Sequence, residues 1–275
     1  MDGQPKLRPG GSKLTHIPGA GVIARVDPWW GLVILVAVLI VILVTAKADP
    51  FRNILFFVRD GIAITAFITA MAFMLTLLLG LIGGLGRLSR NRFIYGVATL
   101  YVEIVRGIPL LVQLIWWYFA FPVVIQTVGE WLNFSAMANY HANPIFTAIA
   151  AFTICYGAYM SEIYRAGIQS IPKGQMEAAR SLGMTHFQSM RHVVLPQAFR
   201  VVLPPIGNEF IALLKDSSLV SVVAVADLTR RGREFMAVNF NPIEVWTMVA
   251  LIYLVMTLFS ARGVAWIEKK THIEK

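Results

Sequence analysis

Several charged and hydroxyl side chains occur inside one long apolar stretch of the sequence, where such groups are rare. They are Glu209, Lys215, Asp216, Ser217 and Ser218. Charged residues inside an apolar span are costly to bury and are candidates for function. A carboxylate such as Asp216 can accept an ammonium group, and serine hydroxyls can donate to a carboxylate. The stretch therefore has the chemistry to bind a small zwitterion.

The spacing of these residues indicates how they are arranged on a helix. Glu209 and Asp216 are seven residues apart and share one face, whereas Asn208 and Lys215 share the neighbouring face. We expect this polar stripe to face the interior of a helix bundle. Lys215 could contact a solute, or it could pair with Glu209 or Asp216 and fix helix packing. Solute contact is favoured for Asp216 and the two serines, and a structural role is favoured for Glu209.

A second group of candidates surrounds the helix-breaking sequence Gly107-Ile108-Pro109. The residues that follow the break and could face the stripe are Leu110, Leu111 and Gln113. Arg106, just before the break, could hold a carboxylate, or it could extend to the membrane surface as long basic side chains do. Thr65, in an earlier apolar run, could complete the pocket, or it could donate to its own helix backbone.

The composition indicates the class of protein that positions these residues. Of 275 residues, 57% are hydrophobic and 14% are charged, while the net charge is +9 and the mean hydropathy is +0.67. Soluble domains are roughly half apolar and about a quarter charged, so a soluble enzyme, a disordered tail and a nucleic-acid-binding module are excluded. A single cysteine, Cys155, allows no internal disulfide. The histidines have no metal-chelating spacing, and no phosphate-binding G-x-x-x-x-G-K-[ST] loop is present, so we expect no metal, cofactor or ATP site in this chain.

Six apolar runs predict the membrane topology. They cover residues 29–46, 61–85, about 93–128 with its membrane part near 110–125, 144–163, 204–226 and 245–267. Because helices satisfy their own backbone groups in lipid, the sequence predicts an all-α polytopic membrane protein with six transmembrane helices. The first run could instead be a signal peptide, although the charge pattern favours a retained helix.

The basic residues are distributed unevenly between the connecting segments. Most of the 24 Lys and Arg residues lie in the tails, 1–28 and 268–275, or in the connections after the second and fourth runs. By the positive-inside rule, this bias predicts that both termini are cytoplasmic. The surplus positive charge is then a topology signal and needs no nucleic-acid partner.

The connection after the fourth run, residues 167–200, is longer than a helix bundle needs. Gly183 suits the left-handed stop of a helix over residues 175–182. Thr185 and Gln188 form a weak capping box for a second helix, which should end before Pro196. Ala178 and Ala179 give this helix pair a small-residue face that could enter a groove on a partner.

The stretch EAARSLGMTHFQSMRHVVLP, which begins at Glu177, resembles the EAA loop of membrane-spanning permease subunits of ATP-binding-cassette (ABC) importers. Three other stretches, YVEIVRGIPLLVQL, AYMSEIYRAGI and GNEFIALLKDSSLVSVVAVADLT, are similar to permeases of polar amino-acid uptake systems. The resemblance covers about residues 61–267, a five-helix core, and leaves the tail 1–28 and the extra helix 29–46 outside it. The family more commonly has Thr at the position of Ile108, so a role for that hydroxyl is not expected here.

The resemblance implies a type I ABC importer permease of the bacterial inner membrane. It implies a cytoplasmic coupling helix that docks on a nucleotide-binding ATPase subunit, which itself binds ATP and Mg; its residues are Glu177, Ala178, Ala179, Arg180 and Gly183. The other implied partners are a second permease subunit, identical or related, a periplasmic binding protein and a polar amino acid. An ion-coupled secondary transporter or channel, with Glu209 and Asp216 as an ion relay, is the alternative, but it gives no reason for the EAA loop.

Overall fold

The computed structural model describes residues 28–271, and every regular element in this range is a helix. Residues 1–27 and 272–275, which hold most of the two predicted tails, lie outside the described range. The first four helices are α1 (Pro28–Ala46), α2 (Ala48–Gly86), α3 (Arg92–Gly107) and α4 (Leu110–Trp131). Within α4, Trp116–Ala120 is a π-helical segment.

The second half of the chain contains both long and short helices. They are α5 (Ser135–Ala138), α6 (Pro144–Gln169), α7 (Lys173–Ser181), α8 (His186–Ser189), α9 (Leu195–Asp216), α10 (Leu228–Asn239) and α11 (Pro242–Thr271). The π-helical segment Met190–Val194 joins α8 to α9, and the 3-10 helix Ser217–Val223 continues α9.

Five helices in residues 28–271 are long and apolar enough to cross a membrane, namely α1, α2, α4, α6 and α11. They coincide with the predicted first to fourth and sixth spans. The predicted fifth span falls on α9, whose Glu209, Lys215 and Asp216 lower its hydropathy. The predicted count of six is therefore approximate: five apolar spans and one polar helix.

Two predicted helix boundaries around α9 are wrong. The loop helix does not end before Pro196, because the π-helical segment runs directly into α9 with Pro196 in its first turn. A π turn departs from the regular hydrogen-bond ladder and so can accommodate a residue without a backbone N–H. At its other end, α9 stops at Asp216, whereas the span was expected to reach residue 226.

Helix α2 begins 13 residues before the predicted start of its span at residue 61. Phe51, Ile54 and Val58 are buried against Leu228 and Phe235 of α10. Their spacing of three and four residues is that of one helical face. Arg52 between them, and Arg59 and Asp60 after them, hid this face from a simple search for apolar runs.

Glycines allow α2 to pack closely against α6. A Cβ atom on Gly80 would lie 2.4 Å from the Cβ of Met160. One on Gly83 would lie 2.1 Å from Ser161 Oγ, and one on Gly84 would lie 2.9 Å from the carbonyl oxygen of Ser161. These glycines have the small-residue spacing that permits close helix contact in membranes. We call this contact the glycine seam.

Helix α1 contacts α11 through aromatic and basic side chains. The guanidinium of Arg262, on α11, lies 5.1 Å from the ring centroid of Trp29 and 5.8 Å from that of Trp30. Cation–π contacts of this kind are worth about 0.5–2 kcal/mol each. They tie one end of α1 to α11.

The glycine seam generates a first prediction. Gly80→Ala should destabilise the protein by about 1–3 kcal/mol, because the new methyl group overlaps a Cβ atom that cannot rotate away. Thermal unfolding of the purified protein in detergent measures the effect. Gly96→Ala is the matched control, since a Cβ there meets nothing within 4 Å. Equal melting temperatures for the two variants would show that the seam is not tightly packed.

Candidate functional site

A cavity of about 220 Å³ lies between α4, α6 and α9. The residues that line it are Leu110, Cys155, Tyr156, Tyr159, Glu209 and Asp216. The hydroxyl of Tyr156 donates a hydrogen bond of 2.7 Å to Oδ2 of Asp216. We call this space the Asp216 cavity.

Two helices supply the polar groups of the Asp216 cavity. Helix α9 presents Glu209 and Asp216 together because seven residues make close to two helical turns. Helix α6 presents Tyr156 and Tyr159, which are three residues apart and so lie on one face. Two half-buried carboxylates and two phenols in one small space favour a bound cation. Among the described residues, no group of three or more His, Cys, Asp or Glu side chains could hold a metal ion.

Arg106 lies beside the cavity. Its guanidinium is 5.1 Å from the ring centroid of Tyr159, and it interacts electrostatically with Glu209. The residue is exposed in the single chain. This position suits both roles predicted for Arg106, contact with a carboxylate and extension toward water.

Gln113 bridges the break between α3 and α4. Its Nε2 donates to the carbonyls of Val105 and Ile108, at 2.8 Å each, and lies 3.6 Å from Sγ of Cys155. The last carbonyls of a helix have no donor within it, and Pro109 offers no N–H. The amide of Gln113 therefore satisfies the backbone at the break, and its contact with Cys155 connects the break to the cavity wall.

Two of the candidate hydroxyls are engaged by the backbone. Thr65 accepts a hydrogen bond of 3.1 Å from the N–H of Leu228 at the start of α10, and Thr69 donates to the Thr65 carbonyl at 2.8 Å. Ser217 donates to the carbonyl of Leu214 at 2.6 Å. The bond from Leu228 joins α10 to α2, and each of the other two lies within one helical run. The structure does not place the hydroxyls of Thr65 and Ser217 among the groups that line the cavity.

The remaining candidates lie on other faces. Lys215 and Leu111 are exposed, and Ser218 is half-buried. In residues 28–271 no ion pair joins Lys215 to Glu209 or Asp216, so the alternative of internal pairing is not formed within the single chain. Asn208 is exposed as well. The predicted stripe is thus divided, with only its two carboxylates facing the cavity.

Sequence reasoning did not identify Cys155, Tyr156 and Tyr159, and it favoured only a structural role for Glu209. A signal for the tyrosines exists in the sequence. Tyrosines in membrane proteins are most common at the interfaces, whereas Tyr156 and Tyr159 are a helical turn apart well inside an apolar run. Their hydroxyls need polar partners there, which points toward a polar cavity.

The local structure of the EAA loop agrees with the sequence prediction. Helix α7 ends before Gly183, whose φ of +85° is left-handed. Thr185 Oγ1 accepts from the N–H of Gln188, and the Gln188 side chain accepts from the N–H of Thr185, so the capping box is complete.

The side chains of the EAA loop divide into buried and exposed groups. Ala179 is 4% exposed and packs inside the loop, so of the two predicted docking alanines only Ala178 is accessible. Glu177, Arg180 and Gly183 are exposed. Two large apolar side chains that the sequence did not single out, Leu182 and Phe187, are 84% and 71% exposed.

Residues 76–273 match the family described as "Binding-protein-dependent transport system inner membrane component". The glutamine transport system permease protein GlnP of Escherichia coli (strain K12) is 37% identical over 199 residues, which are 72% of this chain and 85% of that protein. The arginine transport system permease protein ArgU of Corynebacterium glutamicum is 34% identical over 256 residues, 90% of this chain and 80% of that protein. A solved structure described as "Crystal structure of an amino acid ABC transporter with histidines" is 37% identical, with a TM-score of 0.69 over 83% of this chain and 97% of that chain.

The chain belongs to the family of binding-protein-dependent transport system inner membrane components. It is a multi-pass transport subunit of the inner membrane and, as an ABC permease, has no ATPase site of its own. The expected ABC importer permease fold is confirmed. The match also decides against the alternative of an ion-coupled transporter, because transport in this family depends on a binding protein.

The bridge at Gln113 generates a second prediction. Gln113→Leu should lower stability by about 1–3 kcal/mol, because the part-buried carbonyls of Val105 and Ile108 lose their donor. Thermal unfolding in detergent measures the loss, and hydrogen exchange across residues 105–113 should become faster. Gln126→Leu, which removes one 2.8 Å bond to the carbonyl of Tyr140 away from the break, is the control and should cost less. A larger loss for the control would contradict the assignment.

Proposed function

We propose that this chain forms the translocation path for a polar amino acid in an ATP-driven importer, with the Asp216 cavity as the point of substrate contact. The observation that carries the proposal is the pair formed by Asp216 and Tyr156 at a polar cavity in a bundle of apolar helices. Transporters commonly hold substrate near the middle of the membrane, at irregular helix positions. Asp216 lies where α9 tightens into a 3-10 helix.

The groups in and beside the cavity complement an amino acid. Asp216, oriented by Tyr156, accepts the substrate's α-ammonium group, and Arg106 at the rim attracts its α-carboxylate. Leu110 supplies an apolar wall. Ser217 and Gln113, whose polar groups bond to backbone carbonyls, support the cavity from outside. The residues that line the cavity do not include Ser218, Lys215, Leu111 or Thr65, so these four have no substrate role in this arrangement.

The proposed assembly has two permeases, two ATPase subunits and an external binding protein that delivers the substrate. ATP and Mg bind to the ATPase subunits. Both permease termini face the cytoplasm, which puts the EAA loop on the ATPase side, in agreement with the excess of basic residues there.

The EAA loop is the proposed coupling element. Exposed Glu177 and Arg180 offer charged contacts to the ATPase, while Ala178 allows close approach. Ala179 holds the loop together from inside, and Gly183 sets its turn. Leu182 and Phe187 add exposed apolar area beside these residues and are proposed to insert into the ATPase groove.

The cavity assignment predicts the effect of removing one charge. Asp216→Asn keeps the side-chain volume but loses the attraction for ammonium, so the apparent substrate affinity should fall about 10- to 100-fold. Tyr156→Phe should cause a smaller loss. Uptake of labelled amino acids into proteoliposomes containing the whole importer measures both. The control is Asp60→Asn, which removes an acid of α2 that pairs with Arg231 of α10 and does not line the Asp216 cavity. Unchanged uptake by Asp216→Asn would overturn the cavity assignment.

The turn in the EAA loop leads to a separate prediction. Gly183→Val should abolish most substrate-stimulated ATP hydrolysis, because a left-handed backbone costs an L-residue about 1–2 kcal/mol and the turn would be distorted. Gly174→Val in the same loop is the control, since a Cβ there meets nothing within 4 Å and its backbone is not left-handed. The measurement is ATPase activity of the reconstituted importer. If Gly183→Val retained full stimulation, the loop would not couple the two subunits.

A further inference from the structure

The charges of the Asp216 cavity do not balance for a neutral amino acid. Two carboxylates line it, Glu209 and Asp216, and the basic residue beside it is Arg106 at its rim. Lys215 is exposed on another face of α9 and does not offset them. We infer that the cavity is selective for amino acids with a cationic side chain, and that Glu209 is the specificity-determining residue that accepts this second cation. The inference rests on the proposed function.

The placement of the two carboxylates separates their tasks. Asp216 already accepts a hydrogen bond from Tyr156, which fixes its orientation for an α-ammonium group. Glu209 lies seven residues earlier on the same helix, about 10 Å along the axis at 1.5 Å per residue. Both side chains reach the same cavity. An extended solute with a cation at each end can therefore meet one carboxylate at each end.

Charge balance distinguishes the possible substrates. A substrate with two cationic groups and one carboxylate neutralises Glu209, Asp216 and Arg106 together. A neutral amino acid leaves one carboxylate without a cation in a half-buried site, and an acidic amino acid adds a further negative charge. An unpaired charge removed from water is strongly unfavourable. The site thus discriminates by the penalty on the wrong substrate as well as by attraction to the right one.

Arginine and citrulline provide the test, because they have nearly the same shape and differ in the charge of the terminal group. The purified complex of permease and ATPase, in detergent and without its binding protein, is unfolded thermally at increasing concentrations of each compound. A ligand that binds the folded state raises the melting temperature. We expect arginine to give a half-maximal shift at a concentration at least about tenfold lower than citrulline, the size of one charge-assisted hydrogen bond.

Two variants assign the discrimination to a residue. In Glu209→Gln the arginine-to-citrulline ratio should fall below threefold (about 0.7 kcal/mol), whereas Asp216→Asn should weaken both compounds together. Glu103→Gln removes an exposed acid of α3 outside the cavity and should keep the wild-type ratio. Equal shifts from arginine and citrulline in the wild type, or an unchanged ratio in Glu209→Gln, would overturn the inference while leaving an amino-acid site in place. If no amino acid shifted the wild type, the proposed cavity itself would be wrong and the inference with it.

Discussion

The close contact between α2 and α6 is the constraint on which the arrangement of the bundle depends. Backbones approach there because Gly80, Gly83 and Gly84 leave room for Met160 and Ser161. The contact fixes the rotation of α6 about its own axis, and so it decides which α6 side chains turn toward α9. Rotating α6 by one residue, about 100°, would remove both tyrosines from the cavity. At the end of α2 the geometry is fixed a second time, by an ion pair of 2.6 Å between Arg87 and Glu162 of α6.

The charged residues of α9, which are costly to bury in a membrane, are distributed over different faces of the helix. Adjacent residues of a helix point in different directions, so Asp216 faces the cavity whereas Lys215 is exposed. The carboxylate is stabilised inside the bundle by the phenol of Tyr156. Within residues 28–271, Asp216 therefore forms no ion pair with a basic side chain, so its carboxylate is available to a solute cation in the proposed site.

Local features of this structure were predictable from sequence, and contacts between distant helices were not. The break after Gly107, the left-handed Gly183 and the capping box at Thr185 each depend on a few consecutive residues, and all three are present. The helix through Pro196 was not predicted, because the π turn before it has no simple sequence signal. Tyr156 was missed for another reason: its importance arises from Asp216, 60 residues away. Hydropathy also placed the start of α2 too late. Burial of Phe51, Ile54 and Val58 against α10 extends this helix beyond the charged residues that precede Gly61.

The path from the EAA loop to the cavity is continuous in the backbone. From His186 the chain passes through α8, the π-helical segment and α9 to Asp216 without an intervening loop. A displacement of the capped end of α8 is therefore carried along one helical run to Glu209 and Asp216.

This run is not a straight helix that would transmit such a movement rigidly. Helices bend at π turns and at internal prolines, and the run contains Pro204 and Pro205 between the loop and the two carboxylates. Bending there would change the separation of α9 from α6, which is the distance that the Tyr156 to Asp216 hydrogen bond spans. The proposed coupling loop and the proposed substrate site are thus joined by one helical run, and the Tyr156 to Asp216 hydrogen bond links that run to α6.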